Sequence, residues 1–227
     1  MRLLVIADIH GRYQKLRKLL AKIDEKFDVV VCPGDFTDMH NIPREFSQMD
    51  VADIVAQSLI ATRKPVVGIP GNHDPYDIVG LLEEYGISAH ARVRKIDNMN
   101  FLGYGGAETP FNTLFEPSED EIKKALDALA GTITGDFVLV THNPAKDTKL
   151  DSVQGTHVGS QSVRDFILKN KPTLAISAHI HEAMGVDTLG TTTLFYPGPC
   201  HEGRYGLVDI STAGITCVSK RIEFQHI

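Results

Sequence analysis

The chain has 227 residues, of which 42% are hydrophobic and 23% are charged. These values are close to the averages of folded globular domains, so they exclude a disordered chain and predict one domain over residues 1–227. The formal net charge of −6 argues against a protein that coats nucleic acid.

The sequence shows no signal for export or for insertion into a membrane. The apolar run Leu3–Ile9 is interrupted by Asp8 and is too short for a signal peptide. No apolar stretch reaches the length of a membrane-spanning helix. The three cysteines, Cys32, Cys200 and Cys217, are odd in number and widely spaced, which is typical of reduced thiols. We therefore expect a cytoplasmic protein that does not interact with membranes.

Short runs rich in valine and isoleucine alternate with amphipathic segments along most of the chain. The runs predict buried strands at Leu3–Ala7, Val29–Cys32, Val66–Ile69, Phe137–Val140 and Leu174–Ser177. Apolar residues at helical spacing predict helices near Tyr13–Glu25, Met49–Thr62, Tyr76–Tyr85, Ser118–Ala130 and Ser160–Lys169. This alternation predicts a layered α/β domain with a partly parallel sheet.

The C-terminal part of the chain follows a different pattern. Consecutive strands separated by glycine-rich turns, with no helix between them, are predicted at Thr191–Tyr196, Tyr205–Ile210 and Ile215–Phe224. A similar stretch occurs at Arg92–Gly105. These strands predict a mixed sheet, or a second sheet packed on the first.

Residues with metal-binding side chains follow five of the predicted strands. In chain order they are Asp8 and His10, then Asp35, then Asn72 with His73 and Asp74, then His142, and finally His179 and His181. Ligands of open α/β sheets bind at the carboxyl ends of the strands, where the loops converge. The pairs Asp8/His10 and His179/His181 are two residues apart, so each pair projects to one side of extended backbone. The pattern therefore predicts one shared site.

The residue types at this site indicate divalent metal ions. Imidazole, carboxylate and amide oxygen suit Mn, Fe, Zn, Ni or Co, and no cysteine lies in the five segments. Seven of these side chains are candidate ligands, namely Asp8, His10, Asp35, Asn72, His142, His179 and His181. Seven ligands are too many for one ion but suit two ions that share a carboxylate. Two divalent ions, two carboxylates and one hydroxide leave a net charge of about +1, which attracts a phosphate oxyanion.

The order of these motifs resembles that of the calcineurin-like metallophosphoesterase superfamily. The motifs are Asp8-x-His10, Gly34-Asp35, Gly71-Asn72-His73-Asp74, His142 and His179-x-His181, and they span residues 8–181. The later Tyr196-Pro197-Gly198-Pro199, followed by Gly203-Arg204-Tyr205, resembles a strand-turn-strand of small prokaryotic members. One difference is Ala178, which stands where the family often has glycine.

The resemblance implies an α/β (α+β) fold, namely a four-layer αββα sandwich of two mixed β-sheets flanked by helices. It implies that one metal ion binds Asp8, His10, Asp35 and His181. The other ion would bind Asp35, Asn72, His142 and His179, so that Asp35 bridges the two. It also implies that His73 faces the substrate as a general acid or leaving-group stabiliser, and that Asp74 orients the ring of His73.

The activity implied by the resemblance is hydrolysis of a phosphomonoester or a phosphodiester, which is the reaction of a phosphoric ester hydrolase of class EC 3.1. A hydroxide that bridges the two metals would attack phosphorus in line. We expect a small phosphorylated substrate, for which a nucleotide is one candidate, and no nucleic acid partner. A homodimer is expected only because symmetric dimers are common.

Two alternatives on the same fold remain open at this point. The first is a nuclease of the same superfamily, which normally carries additional capping segments and a positive DNA-facing surface. The second is a non-catalytic scaffold, which would be expected to have lost ligands or the acid histidine.

Asp38 is interpreted as a turn or cap residue and His201 as a surface or locally bonded histidine. The Gly103–Phe115 loop could determine specificity or simply cover the sheet.

Overall fold

The computed structural model describes residues 1–224, which form two large β-sheets with helices on their outer faces. The strands are β1 (Arg2–Val5), β2 (Val29–Cys32), β3 (Val66–Gly68), β4 (Arg92–Ile96), β5 (Met99–Tyr104), β6 (Phe137–Thr141), β7 (Ser152–Val153), β8 (Thr156–His157), β9 (Leu174–Ile176), β10 (Gly185–Leu189), β11 (Thr192–Tyr196), β12 (Arg204–Ser211) and β13 (Gly214–Arg221). The α-helices are α1 (Tyr13–Leu20), α2 (Gln48–Ile60), α3 (Ile78–Glu84), α4 (Glu119–Ala130) and α5 (Gln161–Asn170).

Each large sheet combines parallel and antiparallel strands. The first sheet has the order β13-β12-β1-β2-β3, in which β1, β2 and β3 are parallel and β12 is antiparallel to both of its neighbours. The second sheet has the order β10-β11-β9-β6-β5-β4, in which only the two edge strands run antiparallel. The prediction of two mixed sheets is therefore confirmed.

Side chains that alternate along the strands create three apolar layers. Leu3 and Val5 of β1 pack with Phe101 and Val138 of the second sheet, which places them between the sheets. Leu4, which points to the opposite side of β1, packs with residues of α1 and α2. The outer face of the second sheet packs in the same way against α4 and α5. Helices, two sheets and helices thus form the four layers of the predicted αββα sandwich.

The first helix is shorter than the sequence predicted. α1 ends at Leu20, with Ala21 as its C-cap, instead of continuing to Glu25. Ile23 and Phe27 still pack on the core from the turns that follow. The apolar spacing that predicted a longer helix therefore reports burial rather than helix length. Within residues 1–224, no helix combines the length and the apolar character needed to cross a membrane.

Several short elements of the fold were not predicted from the sequence. β7 and β8 are two residues long, too short to show an alternating pattern. β10 is an edge strand in which Val186 and Thr188 are exposed and Leu189 is the buried residue, so it lacks an alternation of buried apolar and exposed polar residues. A short 3-10 helix at Cys200–Glu202 also separates β11 from β12, where no helix was expected.

Candidate metal centre and substrate cleft

The structure brings all seven predicted metal ligands to one place. They follow β1, β2 and β3 of the first sheet and β6 and β9 of the second sheet, whose carboxyl ends meet at one edge of the sandwich. One ligand atom from each of Asp8, His10 and His181 lies within 4.8 Å of the other two. The same holds for Asp8, Asp35 and His142.

The first group of ligands converges through two histidine nitrogens. His10 Nε2 and His181 Nε2 are 3.2 Å apart. His10 Nε2 lies 3.4 Å from Asp35 Oδ2, and His181 Nε2 lies 3.8 Å from Asp8 Oδ1. Two imidazole nitrogens and two carboxylates that face one another form a donor set that suits a divalent transition metal ion.

The second group of ligands surrounds His142, which is completely buried. His142 Nε2 lies 2.8 Å from Asn72 Oδ1 and 3.5 Å from Asp35 Oδ2. The His179 ring packs beside the His142 ring, with 5.1 Å between their centroids. Asp35 Oδ2 is therefore close to a histidine of each group, which is the position that a bridging carboxylate requires.

Hydrogen bonds to neighbouring residues orient several of these ligands. His142 Nδ1 lies 2.8 Å from the carbonyl oxygen of Pro33, and a proton on Nδ1 leaves Nε2 free for a metal. Asn72 Nδ2 donates to Thr113 Oγ1 at 3.1 Å, so the Asn72 carbonyl oxygen faces His142. The buried hydroxyl of Tyr196 donates to Asp8 Oδ2 at 2.5 Å.

Four of the predicted ligands have left-handed backbone conformations, although none of them is glycine. The φ angles are 51° at Asp8, 49° at His10, 54° at Asp35 and 76° at His179. Such conformations are unfavourable for residues with a Cβ atom, and strain of this kind tends to occur at functional sites. The strain is consistent with backbone that is held in place to direct side chains into the centre.

The buried acids and histidines of the centre shift one another's pKa values. Burial alone would raise the pKa of Asp8, but its neighbours His181 and His142 lower this pKa to about 2. Burial acts in the same direction on Asp35, and His142 and His10 hold the pKa of this carboxyl far below its usual range. Burial lowers the pKa of the His142 imidazole, but the Asp35 and Asp8 carboxylates and the Pro33 carbonyl together outweigh burial and raise it to about 9.

The donor set fits the two divalent ions that the sequence predicts. Both acids are ionised at neutral pH, and the pKa of His179 is lowered to about 3 by burial and by the charge on His142. Ionised carboxylates, neutral imidazoles and an amide oxygen are the forms in which these side chains bind metals, so His142, whose pKa is raised, must lose a proton to bind an ion. The assignment of each ligand to an ion stays a prediction.

His73 lies at the rim of this centre. Its backbone N–H donates to Asp35 Oδ1 at 2.9 Å, and its ring packs edge-on against that of His10, with 5.0 Å between centroids. His73 Nδ1 lies 3.5 Å from Asp38 Oδ1, and this contact raises the pKa of His73. Asp38 also accepts a hydrogen bond from the His40 backbone, as its interpretation as a turn residue predicts.

Asp74 has a different position from the one that the resemblance implied. Its completely buried carboxylate accepts hydrogen bonds from the backbone N–H groups of Phe36, Thr37 and Gly71. Among residues 1–224, the carboxylate beside the His73 ring is that of Asp38 and not that of Asp74. Asp74 therefore joins the loop after β2 to the loop after β3, and the ring-orienting role assigned to it does not agree with this geometry.

Sequence reasoning missed two further residues at the centre and underestimated a third. Tyr196 bonds to Asp8 from 188 positions away, and no local pattern signals such a contact. His201 Nδ1 lies 3.0 Å from the Asp8 carbonyl oxygen, and its ring lies beside those of His10 and His181. The only sequence signal for these two was their position in or beside the Tyr196–Tyr205 motif. Asp38 carried a signal in its spacing after Asp35, which was interpreted as turn chemistry.

A cleft of about 460 Å³ opens above the centre. Its base is formed by ligands and by His73, and its walls by Glu108, Thr109, Pro110, Phe111, Val153, Val158, Ile180 and Glu182. Phe111 and Val158 are unusually exposed for apolar residues, at 79% and 45% of their surface. Part of the Gly103–Phe115 loop therefore lines the cleft, which agrees with the specificity alternative for this loop.

The second wall of the cleft is held by Asp151. This buried carboxylate accepts hydrogen bonds from the backbone of Thr148 and Gly159, at 2.9 and 3.1 Å, and contacts His157 Nδ1 at 2.7 Å. The β7–β8 hairpin and the residues after it, including Val158, are thereby fixed beside the centre. Among the residues described, no lysine or arginine lines this cleft.

Comparisons with known proteins agree with this arrangement. The model of the calcineurin-like phosphoesterase family matches residues 1–183. A protein of Methanocaldococcus jannaschii, described only as uncharacterized, is 32% identical over 206 residues, which is 88% of either chain.

Solved structures are similar in fold at lower sequence identity. A crystal structure of a Thermus thermophilus protein aligns over 96% of this chain and 97% of its own, with a TM-score of 0.75 and 17% identity. A 5′-nucleotidase precursor of the same organism aligns over 97% of this chain and 54% of its own, with a TM-score of 0.53 and 11% identity. Identities this low show a shared fold only.

Proposed function

Because the chain belongs to the calcineurin-like phosphoesterase family, we propose that it hydrolyses a phosphomonoester or a phosphodiester with the help of two divalent metal ions. The seven predicted ligands provide donor atoms for two ions. The cleft above them provides room for a small phosphorylated substrate. The reaction is an in-line attack of hydroxide on phosphorus.

The observation that carries this proposal is the position of Asp35. Its Oδ2 atom lies 3.4 Å from His10 Nε2 on one side and 3.5 Å from His142 Nε2 on the other. A single carboxylate oxygen between two histidine groups supports a pair of ions, because catalytic metal pairs lie about 3.5–4 Å apart. In this proposal His10 and His181 lie on one side of Asp35 and His142 lies on the other, while Asp8 is near both groups.

The residues of the chain supply binding, orientation and a proton. When bound, two divalent ions would lower the pKa of water and polarise the phosphoryl oxygens. His73 lines the cleft beside the ligands and provides a general acid for the departing oxygen. Asp38 favours the protonated form of His73, which is the form that can donate. Phe111 and Val158 contact the organic part of the substrate.

The test is hydrolysis of a 4-nitrophenyl phosphomonoester and of bis(4-nitrophenyl) phosphate by metal-stripped protein, with manganese, nickel, zinc or iron added back. We expect turnover that depends on metal and is lost in Asp35→Asn and reduced in His73→Ala. Asp97→Asn, which changes an exposed carboxyl in the β4–β5 turn, is the matched control and should keep full activity. Absence of turnover with every metal, despite two tightly bound ions, would contradict the proposal.

The two alternative functions are less well supported by the site. A nuclease needs cationic side chains along the path of the nucleic acid, whereas the described walls of the cleft contain two glutamates and no lysine or arginine. A non-catalytic scaffold has no requirement for a complete ligand set or for a histidine beside it. The presence of both favours catalysis.

A further inference from the structure

A third group of metal-binding side chains lies beside the predicted centre. One ligand atom from each of His10, Asp38 and His73 lies within 4.8 Å of the other two. Asp38 Oδ1 lies 3.5 Å from His73 Nδ1, and Asp38 Oδ2 lies 3.9 Å from His10 Nδ1. The two rings pack edge-on, with 5.0 Å between their centroids. The carboxylate is therefore within reach of one nitrogen of each ring.

The two histidine nitrogens that face Asp38 are unpaired. His10 Nδ1 and His73 Nδ1 are both buried, and neither has a hydrogen-bond partner among residues 1–224. Their distances from the Asp38 oxygens are longer than those of N–H···O hydrogen bonds, which are about 2.7–3.2 Å. Buried polar groups are nearly always hydrogen-bonded, because an unpaired group loses its contacts with water without compensation. Two such nitrogens beside one carboxylate therefore indicate a ligand that bonds to all three side chains.

The donor types indicate a divalent metal ion that binds well to nitrogen. Two imidazoles and one carboxylate, with a water molecule in the fourth position, form a ligand set of tetrahedral zinc. Zinc–nitrogen bonds are about 2.0–2.1 Å long, so the ligand atoms of a tetrahedral site lie about 3.3–3.5 Å apart. The observed separations of 3.5 and 3.9 Å are close to this value. Manganese binds such a site more weakly than zinc does.

His10 can take part in this group and in the predicted centre at the same time. Its Nε2 atom lies 3.2 Å from His181 Nε2 and 3.4 Å from Asp35 Oδ2, within the centre. Its Nδ1 atom faces Asp38 instead. A neutral imidazole carries one proton, so an ion at each nitrogen requires that this proton is released to water. The two sites then share the His10 ring.

We propose that His10, Asp38 and His73 form a third metal site, which binds a zinc ion beside the predicted pair and inhibits the enzyme when it is occupied. The site itself follows from the three side chains. The inhibition rests on the proposed function, in which His73 donates a proton and Asp38 supports it. An ion that binds both side chains holds the His73 ring and separates Asp38 from it. Zinc in excess of the amount that fills the centre should therefore slow turnover.

The first test counts bound zinc ions by equilibrium dialysis at a buffered concentration of free zinc. We expect Asp38→Ala and His73→Ala each to bind one zinc ion fewer than the wild-type protein. The double variant should also bind only one fewer, because both side chains belong to the same site. Asp97→Ala, which removes an exposed carboxyl in the β4–β5 turn, is the matched control and should bind as many ions as the wild type. Equal zinc content of the wild type and both single variants would overturn the site.

Anomalous diffraction at the zinc absorption edge locates the ion. Crystals of the zinc-loaded wild-type protein should show a peak between His10, Asp38 and His73, and this peak should be absent from Asp38→Ala. A zinc ion that is lost in Asp38→Ala but lies elsewhere in the wild type would overturn the assignment of these ligands.

Hydrolysis of the 4-nitrophenyl esters tests the inhibition. Zinc beyond the amount that gives maximal turnover should lower kcat of the wild type and of Asp97→Ala about tenfold, a fraction of the effect of removing a general acid. Asp38→Ala and His73→Ala should keep most of their own lower rates. Equal fractional inhibition of all four proteins would overturn the inhibitory role. Loss of one zinc ion from both single variants, without hydrolysis by any of the proteins, would support the site and instead contradict the proposed function.

Discussion

His73 Nδ1 lies 3.5 Å from Asp38 Oδ1, in a pair that closes one side of the metal centre. Although its partial burial alone would raise its pKa, the pKa of Asp38 is lowered to about 2 by the contact with His73. In return, this contact raises the pKa of His73 against the opposing effect of burial. The pair therefore keeps His73 protonated to a higher pH than an isolated histidine.

Asp38→Asn should shift the pH dependence of hydrolysis. Because His73 must be protonated to donate and Asp38 raises its pKa, loss of the carboxylate should move the alkaline limb of the kcat profile to lower pH. We expect kcat near neutral pH to fall about tenfold, a fraction of the effect of removing a general acid. KM should change little, since Asp38 does not line the cleft. An alkaline limb that stays in place would show that Asp38 acts only in the turn.

Metal binding should release a proton from His142. Without metal, the pKa of this imidazole is about 9, so it is protonated at neutral pH, whereas Asp8 has a pKa of about 2 and has already lost its proton. A metal at Nε2 displaces the His142 proton, and metal affinity should therefore rise with pH up to about 9. Calorimetric titration of zinc at pH 7.5 in two buffers of different ionisation enthalpy measures this release. Equal heats in both buffers would contradict it.

The main buried strands, and the candidate ligands that follow them, could be predicted from local sequence patterns, whereas the four-layer sandwich was implied by the family resemblance. The run of three valines at 29–31 predicts a strand that is buried on both faces. In the structure, β2 packs between the second sheet and the helices α1 and α2. The ligands stand directly after such strands, so the carboxyl edge could be located without knowing the strand order. The order itself, with β12 between β1 and β13, depends on pairings between distant segments and has no local signal.

The roles of side chains around the ligands were predicted less well. Two acids are candidates for the contact with the His73 ring. Asp74 directly follows His73 in the chain, and Asp38 lies in the segment after Asp35. Spacing alone does not show which of them faces the ring. The structure distinguishes them because the Asp74 carboxylate accepts hydrogen bonds from three backbone N–H groups, including that of Gly71. These bonds direct it away from the His73 ring. Tyr196 could not be assigned to Asp8, since their contact depends on how the second sheet packs on the first.

Gly71→Ala should disrupt the centre, because no space exists for a methyl group at this position. A Cβ atom there would lie 2.1 Å from Asp35 Oδ1 and 2.2 Å from the Asp35 backbone nitrogen. We expect a loss of about 1–3 kcal/mol in the free energy of unfolding, together with weaker metal binding. Urea denaturation and metal analysis measure the two effects.

Gly80→Ala is the matched control for this substitution. Gly80 lies within α3, and a Cβ atom there meets nothing within 4 Å. Since alanine is the better helix former, the free energy of unfolding should rise by about 0.5–1 kcal/mol. Equal stability of the two variants would show that the loop after β3 can move away from Asp35.

Tyr196→Phe should destabilise the protein by removing a hydrogen bond to Asp8. The Tyr196 hydroxyl donates to Asp8 Oδ2 at 2.5 Å, and both side chains are completely buried. Removal of this donor leaves a buried carboxylate oxygen with one partner fewer, which costs about 1–3 kcal/mol in the free energy of unfolding. A bound metal ion restores a partner to Asp8, so the loss should be smaller in the metal-loaded protein than in the stripped protein.

Tyr85→Phe removes a similar bond in a different environment and is the control for Tyr196→Phe. The Tyr85 hydroxyl donates to Asp53 Oδ1, also at 2.5 Å, but this bond is accessible to water, which can replace the lost donor. Its effect on urea denaturation should therefore be small and independent of metal. If both variants lost the same stability with and without metal, the Tyr196 hydroxyl would contribute only packing, and Asp8 would be oriented by the His179 backbone N–H, which donates to its other oxygen at 3.2 Å.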